Sequence, residues 1–438
     1  MRTSDIKVVG GGPAGASVAL RLSQLGFSVT LSDESSSRRQ HVIESLPSSI
    51  RIVFEALGLE LPPKVLVKRP PEHRVYWGEV KGGFPWKTTG DEASFLVSRR
   101  AFDAFLREAA EAAGVEWIST RDTVRGTHPF IIDASGRAGL LARPYRIYER
   151  ARTLALTAHF GTKEPSPPTV IEAFDEGFVW SAPLPNGLRD VTIFVDAESG
   201  REPYDLLLAR APNSAALVAD APRVSPVNGT DATPYASRRY CGPDFLLVGD
   251  AASFLDPLSA HGVHKAMDGA LVAAAVARTI LERPSSASLA RLFYEDREDR
   301  IYRTTSERLK RLYAQETRFP TSLFWRRRCA NLRGDDRASR PSPRPLTPTM
   351  KLRAAEGVRI VEGPVLENDF IVSREVLLAP DTERPVRYWD SICLPDLFRE
   401  VITSSDVGRV AGTARFPVDL ALGAIDWLYR SGYLIVES

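Results

Sequence analysis

A strand that runs directly into three glycines constrains this chain more than any other feature. In Lys7-Val8-Val9-Gly10-Gly11-Gly12-Pro13-Ala14-Gly15 an apolar run meets a glycine turn and then a helix start. Gly10 permits the tight turn, Gly12 lets the backbone approach a pyrophosphate, and Gly15 lets the helix pack closely on the strand. With Pro13 and Ala14 in the first helical turn, the pyrophosphate would rest on free N–H groups at the positive end of the helix dipole. Ala14, Val18, Leu22 and Leu25 recur at helical spacing, so one helix face is apolar. Gly26 ends that helix, and Val29-Thr30-Leu31-Ser32-Asp33 reads as a second strand. Asp33 arrives about 20 residues after the glycines, as an acceptor for ribose hydroxyls should. A glycine turn alone can be merely structural. Flanked by two strands, a helix and a terminal acid, it reads as a nucleotide site.

A distant segment narrows the ligand. Leu246-Leu247-Val248-Gly249-Asp250-Ala251-Ala252 is followed by Asp256-Pro257-Leu258. An aspartate at the end of a late strand is where the ribityl hydroxyls of a flavin need an acceptor. The two segments together point to FAD. No His or Cys falls in an attachment motif, so non-covalent binding is expected. Only one dinucleotide fold is present, so electrons would come from transiently bound NAD(P)H or from a separate flavin reductase.

Composition bounds the rest. A chain of 438 residues, 43% hydrophobic, can bury large cores and suggests two or three domains. A formal net charge of +2 points to neither a nucleic-acid nor a membrane partner. The first strand begins near Asp5, leaving no room for a signal peptide, and no apolar run of about 18 residues occurs, so a cytoplasmic protein is expected. Cys241, Cys329 and Cys393 are too few and scattered for a disulfide framework or a metal site.

The expected class is α/β: a Rossmann-like FAD-binding domain with an inserted mixed or antiparallel substrate sheet, plus a small C-terminal module. The first domain is discontinuous, taking residues 1–153 and 236–285, with part of 45–100 facing the substrate. Phe130-Ile131-Ile132-Asp133 reads as a buried strand that rejoins its sheet, and a long helix follows from about Gly262 to Leu281. Residues 154–235 alternate like strands and form the substrate-facing sheet. Residues 286–336 make a basic helical segment; from Arg297 to Arg344 there are 14 Lys/Arg against 6 Asp/Glu. Residues 337–349, rich in Arg, Ser and Pro, read as a linker. Residues 350–438, with three short helical patterns and a terminal strand, suggest a winged-helix-like module. Leu394 to Ser438 holds 4 Lys/Arg and 6 Asp/Glu, which argues against DNA and for partner contact or a lid.

In combination these motifs resemble the single-component FAD enzymes of the aromatic-hydroxylase fold, on the branch with flavin-dependent halogenases and geranylgeranyl reductases. Gly10–Gly15, Glu44-Ser45-Leu46-Pro47, Arg99 with Phe102-Asp103, Asp133-Ala134-Ser135-Gly136-Arg137, and Gly249-Asp250 through Asp256-Pro257 carry the resemblance. It implies that Asp33 and Arg99 bind the adenosine and pyrophosphate parts and Asp250 the ribityl chain. It also implies that the backbone at Gly262-Val263 faces the flavin N1 and O2, where a positive helix dipole stabilises the anionic reduced flavin. Three departures stand out. The Trp-x-Trp-x-Ile-Pro stretch of halogenases is matched here by Phe178-Val179-Trp180-Ser181-Ala182-Pro183. Lys81 and Lys87, before Arg99, sit in no context matching the essential halogenase lysine. The interval from Trp117 to Phe130 is short for the strand meander of many relatives.

The chain also looks like the flavoprotein monooxygenases that modify a protein tryptophan in cysteine tryptophylquinone biogenesis, of the quinohemoprotein amine dehydrogenase type. That resemblance implies hydroxylation of an aromatic side chain, tryptophan in a peptide or protein, through a flavin C4a-hydroperoxide. His261 and His264, flanking Gly262, are candidates for proton transfer; the alternative is that His261 caps the helix and His264 packs against the sheet. Trp180 is a candidate pocket wall or a core residue. Glu44 either orients a flavin-side loop or sits in solvent. Rival activities are halogenation of tryptophan or a phenol, small-molecule hydroxylation, reduction of isoprenoid double bonds, and a non-catalytic flavoprotein partner or chaperone.

Overall fold

The computed structural model describes residues 5–34, 43–67, 73–78, 95–120, 129–162, 169–184, 187–330, 344–380, 384–404, 406–413 and 417–437. Lys81, Lys87, Pro185, Asn186 and most of the 337–349 segment lie outside them. By contacts the chain forms two units, one of Met1–Arg278 with Tyr294–Leu332, the other of Thr279–Phe293 with Arg333–Ser438.

The first unit is built on a five-stranded parallel sheet in the order Phe245–Leu247, Phe130–Asp133, Ile6–Val9, Val29–Ser32, Glu116–Ile118. Ile6–Val9 and Val29–Ser32 are buried along their whole length, as strands covered on both faces must be. Lys7, Thr30 and Ser32 are buried in them along with the apolar residues. The strands all end on one edge, so Gly10, Asp33, Ala134 and the loop holding Asp250 come together although they are far apart in sequence. Ligands of open α/β sheets bind at this carboxyl edge.

The inserted sheet has six strands, ordered Asn228–Asp231, Thr153–Gly161, Leu188–Asp196, Gly177–Leu184, Thr169–Phe174, His73–Tyr76. All its pairs are antiparallel except the last, in which His73–Tyr76 joins Thr169–Phe174 in parallel. The mixed sheet is therefore as expected, with one strand contributed from outside the 154–235 segment. Side-chain alternation gives it two covered faces. Leu156, Val179, Val191 and Ile193 pack on one side with Tyr204 and Leu207. Ala155, Phe178 and Phe194 pack on the other with Trp77, Tyr313, Phe324 and Trp325. The second face is an aromatic cluster: Phe178 stacks on Phe194 at 4.6 Å, and Trp77 meets Trp325 edge-on at 5.0 Å.

The second unit has its own core, including Leu352, Leu377, Leu397, Val401, Ile425 and Leu428. Its helices are Leu394–Ser404, Val407–Thr413 and Val418–Arg430, where the apolar periodicity places them. Arg359–Glu367 and Phe370–Leu378 form a long hairpin, while Leu434–Val436 pairs with Leu352–Ala354. Among the described residues the hairpin and the terminal strand thus belong to different sheets. Within this unit the Ile371 N–H donates to Thr279 Oγ1 at 2.9 Å, and the Arg283 guanidinium lies 3.5 Å from the Phe370 ring centre. No helix of the described residues is long and apolar enough to cross a membrane.

Candidate flavin site

A cavity of about 630 Å³ lies along the carboxyl edge of the parallel sheet. At one end Gly10, Gly12, Pro13 and Ala14 form its floor. Gly10 has φ +101, a left-handed conformation, and a Cβ there would overlap the Ala134 carbonyl. Gly15 lies behind the floor, where a Cβ would overlap the Gly10 carbonyl oxygen. The helix Pro13–Gln24 starts at Gly12 with no side-chain cap, so its first N–H groups are left for a ligand in the cavity. Asp33 and Glu34 line the same end, held by the Asp33 N–H bond to the Ile118 carbonyl at 3.1 Å.

Arg99 and Glu44 form a side wall. Arg99 Nη1 donates to Glu44 Oε2 and Nε to Asp103 Oδ1, each at 3.0 Å. The strand pair Ile43–Leu46 and Phe95–Ser98 brings these residues together across 55 positions. Burial pushes the Glu44 carboxyl above its ordinary value, with the Arg99 charge opposing that shift. Ser45 pairs with Leu96 in the same ladder and does not line the cavity.

Asp133 is fully buried and acts one step away from the cavity. It accepts the Ser135 N–H at 3.0 Å and the Leu141 N–H at 2.7 Å, which fixes the turn whose Ser135, Gly136 and Arg137 face the cavity. Arg137 sits 4.2 Å from the Phe254 ring centre, and both line the cavity. The sequence points to neither Phe254 nor Thr120, another lining residue.

Asp250, Asp256, Pro257, Gly262 and Val263 line the far end. Gly249, with φ +65, lies behind them, and a Cβ there would press on Ala14. Asp256 caps the turn Pro257–Ser259 by accepting the Leu258 N–H at 2.9 Å, and it accepts the Tyr313 hydroxyl at 3.0 Å. Burial raises its pKa, against the pull of those bonds. Gly262 opens the helix Gly262–Glu282, so the positive end of that dipole meets the cavity.

His261, His264 and Trp180 do not line this cavity. Both histidines line a neighbouring one. The His261 carbonyl accepts the Lys265 N–H at 2.9 Å, which makes His261 the residue that starts the helix, and its ring meets the Ser259 carbonyl. Trp180 packs at the edge of the aromatic cluster, opposite Thr192 in the ladder. On that same sheet face is a cluster the sequence did not reveal: His159 Nε2 lies 3.3 Å from Asp190 Oδ2, and Thr192 donates to Asp190 Oδ1 at 2.8 Å. Lys265 was also missed. Among the described residues no group of His, Cys, Asp and Glu could hold a metal ion.

The cradle fits FAD. Glycines are required where backbone approaches closely, an uncapped helix start faces one end, Asp33 and Asp250 line opposite ends, and a second helix start meets the far end. These features define a dinucleotide-binding α/β protein of the flavin type. A family model described as tryptophan halogenase matches residues 87–340, and the chain belongs to that family. It is 31% identical over 336 residues to a tryptophan 2-halogenase of Chondromyces crocatus, covering 67% of this chain and 64% of that one. It is 28% identical over 340 residues to a flavin-dependent halogenase of Armillaria mellea, covering 62% and 64%. The chain thus spans less than two thirds of the length of these curated relatives. Among solved structures it resembles a peptidyl tryptophan dihydroxylase, QhpG, described as essential for tryptophylquinone cofactor biogenesis. There the TM-score is 0.74 and the identity 25%, with 98% of this chain and 99% of that one covered. The flavin-dependent halogenase CmlS shares the fold at TM-score 0.80 and 23% identity, covering 100% and 96%.

Proposed function

We propose that this protein is an FAD-dependent monooxygenase that hydroxylates an aromatic ring, with tryptophan in a peptide or protein as its substrate. Bound and reduced, FAD supplies the electrons and the activation of dioxygen. The chain's residues bind and orient. The first turn after Gly12 would hold the diphosphate, Asp33 a ribose, and Asp250 the ribityl hydroxyls. The Gly262-Val263 backbone would set the positive end of its helix against the reduced ring. The Arg99–Glu44–Asp103 network keeps a cation at the cavity wall while distributing its charge.

The observation that carries hydroxylation over halogenation is the strand Gly177–Leu184. Phe178 stands where the halogenase pattern has its first tryptophan, and it is 2% exposed inside the aromatic cluster. In addition, no lysine lines the flavin cavity among the described residues. Lys265, which lies near it, has its amine bonded to two backbone carbonyls. The likeness to the peptidyl tryptophan dihydroxylase supports a polypeptide substrate, and that neighbour's role in tryptophylquinone biogenesis is the setting we infer. A partner flavin reductase or NAD(P)H would supply the electrons.

Mass spectrometry decides the reading. A tryptophan peptide is incubated with reduced holoenzyme and oxygen, with and without chloride or bromide. Oxygen gain that is independent of halide supports hydroxylation. A halogen isotope pattern in the product makes the protein a halogenase, which family membership keeps as the second reading.

A further inference from the structure

The cavity that fits FAD is acidic. Asp33, Glu34, Glu44, Asp250 and Asp256 line it, and among the described residues Arg99 and Arg137 are its only lining cations. The diphosphate of FAD adds further negative charge, which needs a cation beside it. Arg99 is already committed, bonding Glu44 and Asp103 at 3.0 Å each. That leaves Arg137.

Arg137 is held in place but not satisfied. Its guanidinium lies 4.2 Å from the Phe254 ring centre and 5.7 Å from that of Tyr235. Its own carbonyl accepts the Arg146 guanidinium at 2.8 Å, which fixes the backbone. Yet Arg137 Nη1 is buried with no hydrogen-bond partner. Its ion-pair acid, Asp231, stands 3.6 Å from Nη2, beyond hydrogen-bonding distance. Asp231 is in turn bonded to Arg152 at 3.1 Å and to the Thr233 N–H at 2.9 Å. A buried charged donor without an acceptor is costly, and an anionic oxygen removes that cost.

The position along the cavity indicates which part of the cofactor supplies that oxygen. Arg137 follows the turn after Ala134, whose carbonyl abuts Gly10 on the floor. Its guanidinium reaches Phe254, in the segment just after Asp250. It therefore stands between the glycine floor and the end where Asp250 meets the ribityl chain. We propose that Arg137 selects a flavin that carries a diphosphate, by donating to a diphosphate oxygen of FAD. Arg99, which the sequence resemblance puts on the pyrophosphate, instead holds the wall through Glu44 and Asp103. This rests on the FAD reading of the cavity and not on the choice between hydroxylation and halogenation.

The test is flavin binding to the full chain freed of cofactor, followed by flavin fluorescence, with FAD and riboflavin as probes. Riboflavin has the ring and the ribityl chain but no diphosphate. Arg137→Gln should weaken FAD about tenfold or more, the worth of a charge-assisted hydrogen bond, and leave riboflavin within about twofold. Added salt should weaken FAD more in the parent than in Arg137→Gln, where the charge to be screened is gone. Arg137→Lys keeps the charge and loses the planar fork, so FAD should weaken less than with glutamine, and riboflavin not at all. The melting temperature of each flavin-free variant reports whether it is folded, and the lysine variant carries the comparison if the glutamine variant is not. Equal losses for the two flavins overturn the proposal, because Arg137 would then only shape the wall. So does FAD affinity that neither substitution changes. A parent that binds neither flavin would instead sink the FAD reading itself.

Discussion

Lys265 Nζ donates to the Gly249 carbonyl at 3.0 Å and to the Ser253 carbonyl at 2.5 Å, so one buried amine ties down both ends of the loop that carries Asp250. The side chain is 7% exposed, and burial lowers its pKa while the Glu298 and Asp250 charges oppose that shift. Lys265→Met keeps the volume and removes the donors. The Ser253 carbonyl then loses the lysine donor, at a cost of about 1–3 kcal/mol where nothing replaces the bond, while the Gly249 carbonyl keeps the Ala252 and Ser253 N–H groups. The variant should melt at a lower temperature and release FAD more readily. Unchanged FAD affinity would show that the loop holds its shape without the lysine.

Asp250 is the second arm of the same prediction, because it is the acid that loop presents to the cavity. Asp250→Ala should weaken FAD retention by about 1.5–3 kcal/mol, the range for a hydrogen bond to a charged group. Equilibrium dialysis or flavin fluorescence on the apoprotein measures this without any turnover. If D250A retains FAD as tightly as the parent, the ribityl end of the site lies elsewhere.

The glycine cradle and the late aspartate were legible because backbone geometry dictates residue type there: Gly10 and Gly249 both sit at positive φ against close neighbours. The parallel sheet was legible from short apolar stretches, Val8-Val9 and Phe130-Ile131-Ile132, that are buried or half-buried in its middle strands. Other features depend on distant pairs that leave no local pattern. Tyr313 reaches Asp256 across 57 positions, and Arg328 reaches Asp196 across 132. The strand His73–Tyr76 joins a sheet formed about a hundred residues later, which its own four residues cannot reveal. His261 and His264 were found by proximity to Gly262 in sequence, but a helix start turns neighbouring residues toward different sides. Gly262 therefore meets one cavity and the histidines the other.

His264 gives a pH signature. Burial holds its imidazole below the ordinary 6.5, and His261, with ring centres 6.3 Å apart, adds to that, while Asp268 opposes it. Between the depressed value and 6.5 the unfolded chain binds more protons than the folded one. Stability should therefore rise with pH across that window and stop rising above 6.5 on this account. His264→Gln should flatten that part of the profile and gain stability relative to the parent at its acidic end. Urea unfolding at a series of pH values measures it. An identical rise in H264Q would assign the titration to another group.

The run Arg326-Arg327-Arg328 belongs to the basic segment 286–336, and the structure gives its three charges different surroundings. Arg328 is buried: it donates to Asp196 Oδ1 and Thr153 Oγ1, each at 2.7 Å, and lies 3.6 Å from the Phe324 ring centre. Arg327 bridges Asp196 at 3.1 Å and Glu198 at 3.0 Å, so its charge is directed inward as well. Arg326 alone is exposed with no ion pair among the described residues. Reversal of the three should therefore separate by stability before any effect on a partner is seen. Arg328→Ala leaves the buried Asp196 carboxylate with Arg327 alone and the Thr153 hydroxyl without its donor, and should cost about 1.5–3 kcal/mol, the range for a hydrogen bond to a charged group. Arg326→Glu should stay within about 0.5 kcal/mol of the parent, as exposed positions do. Denaturant unfolding of the two single variants decides it. If both are equally mild, the helix Leu323–Cys329 is held by its aromatic residues alone, and the run is open to act as a docking surface.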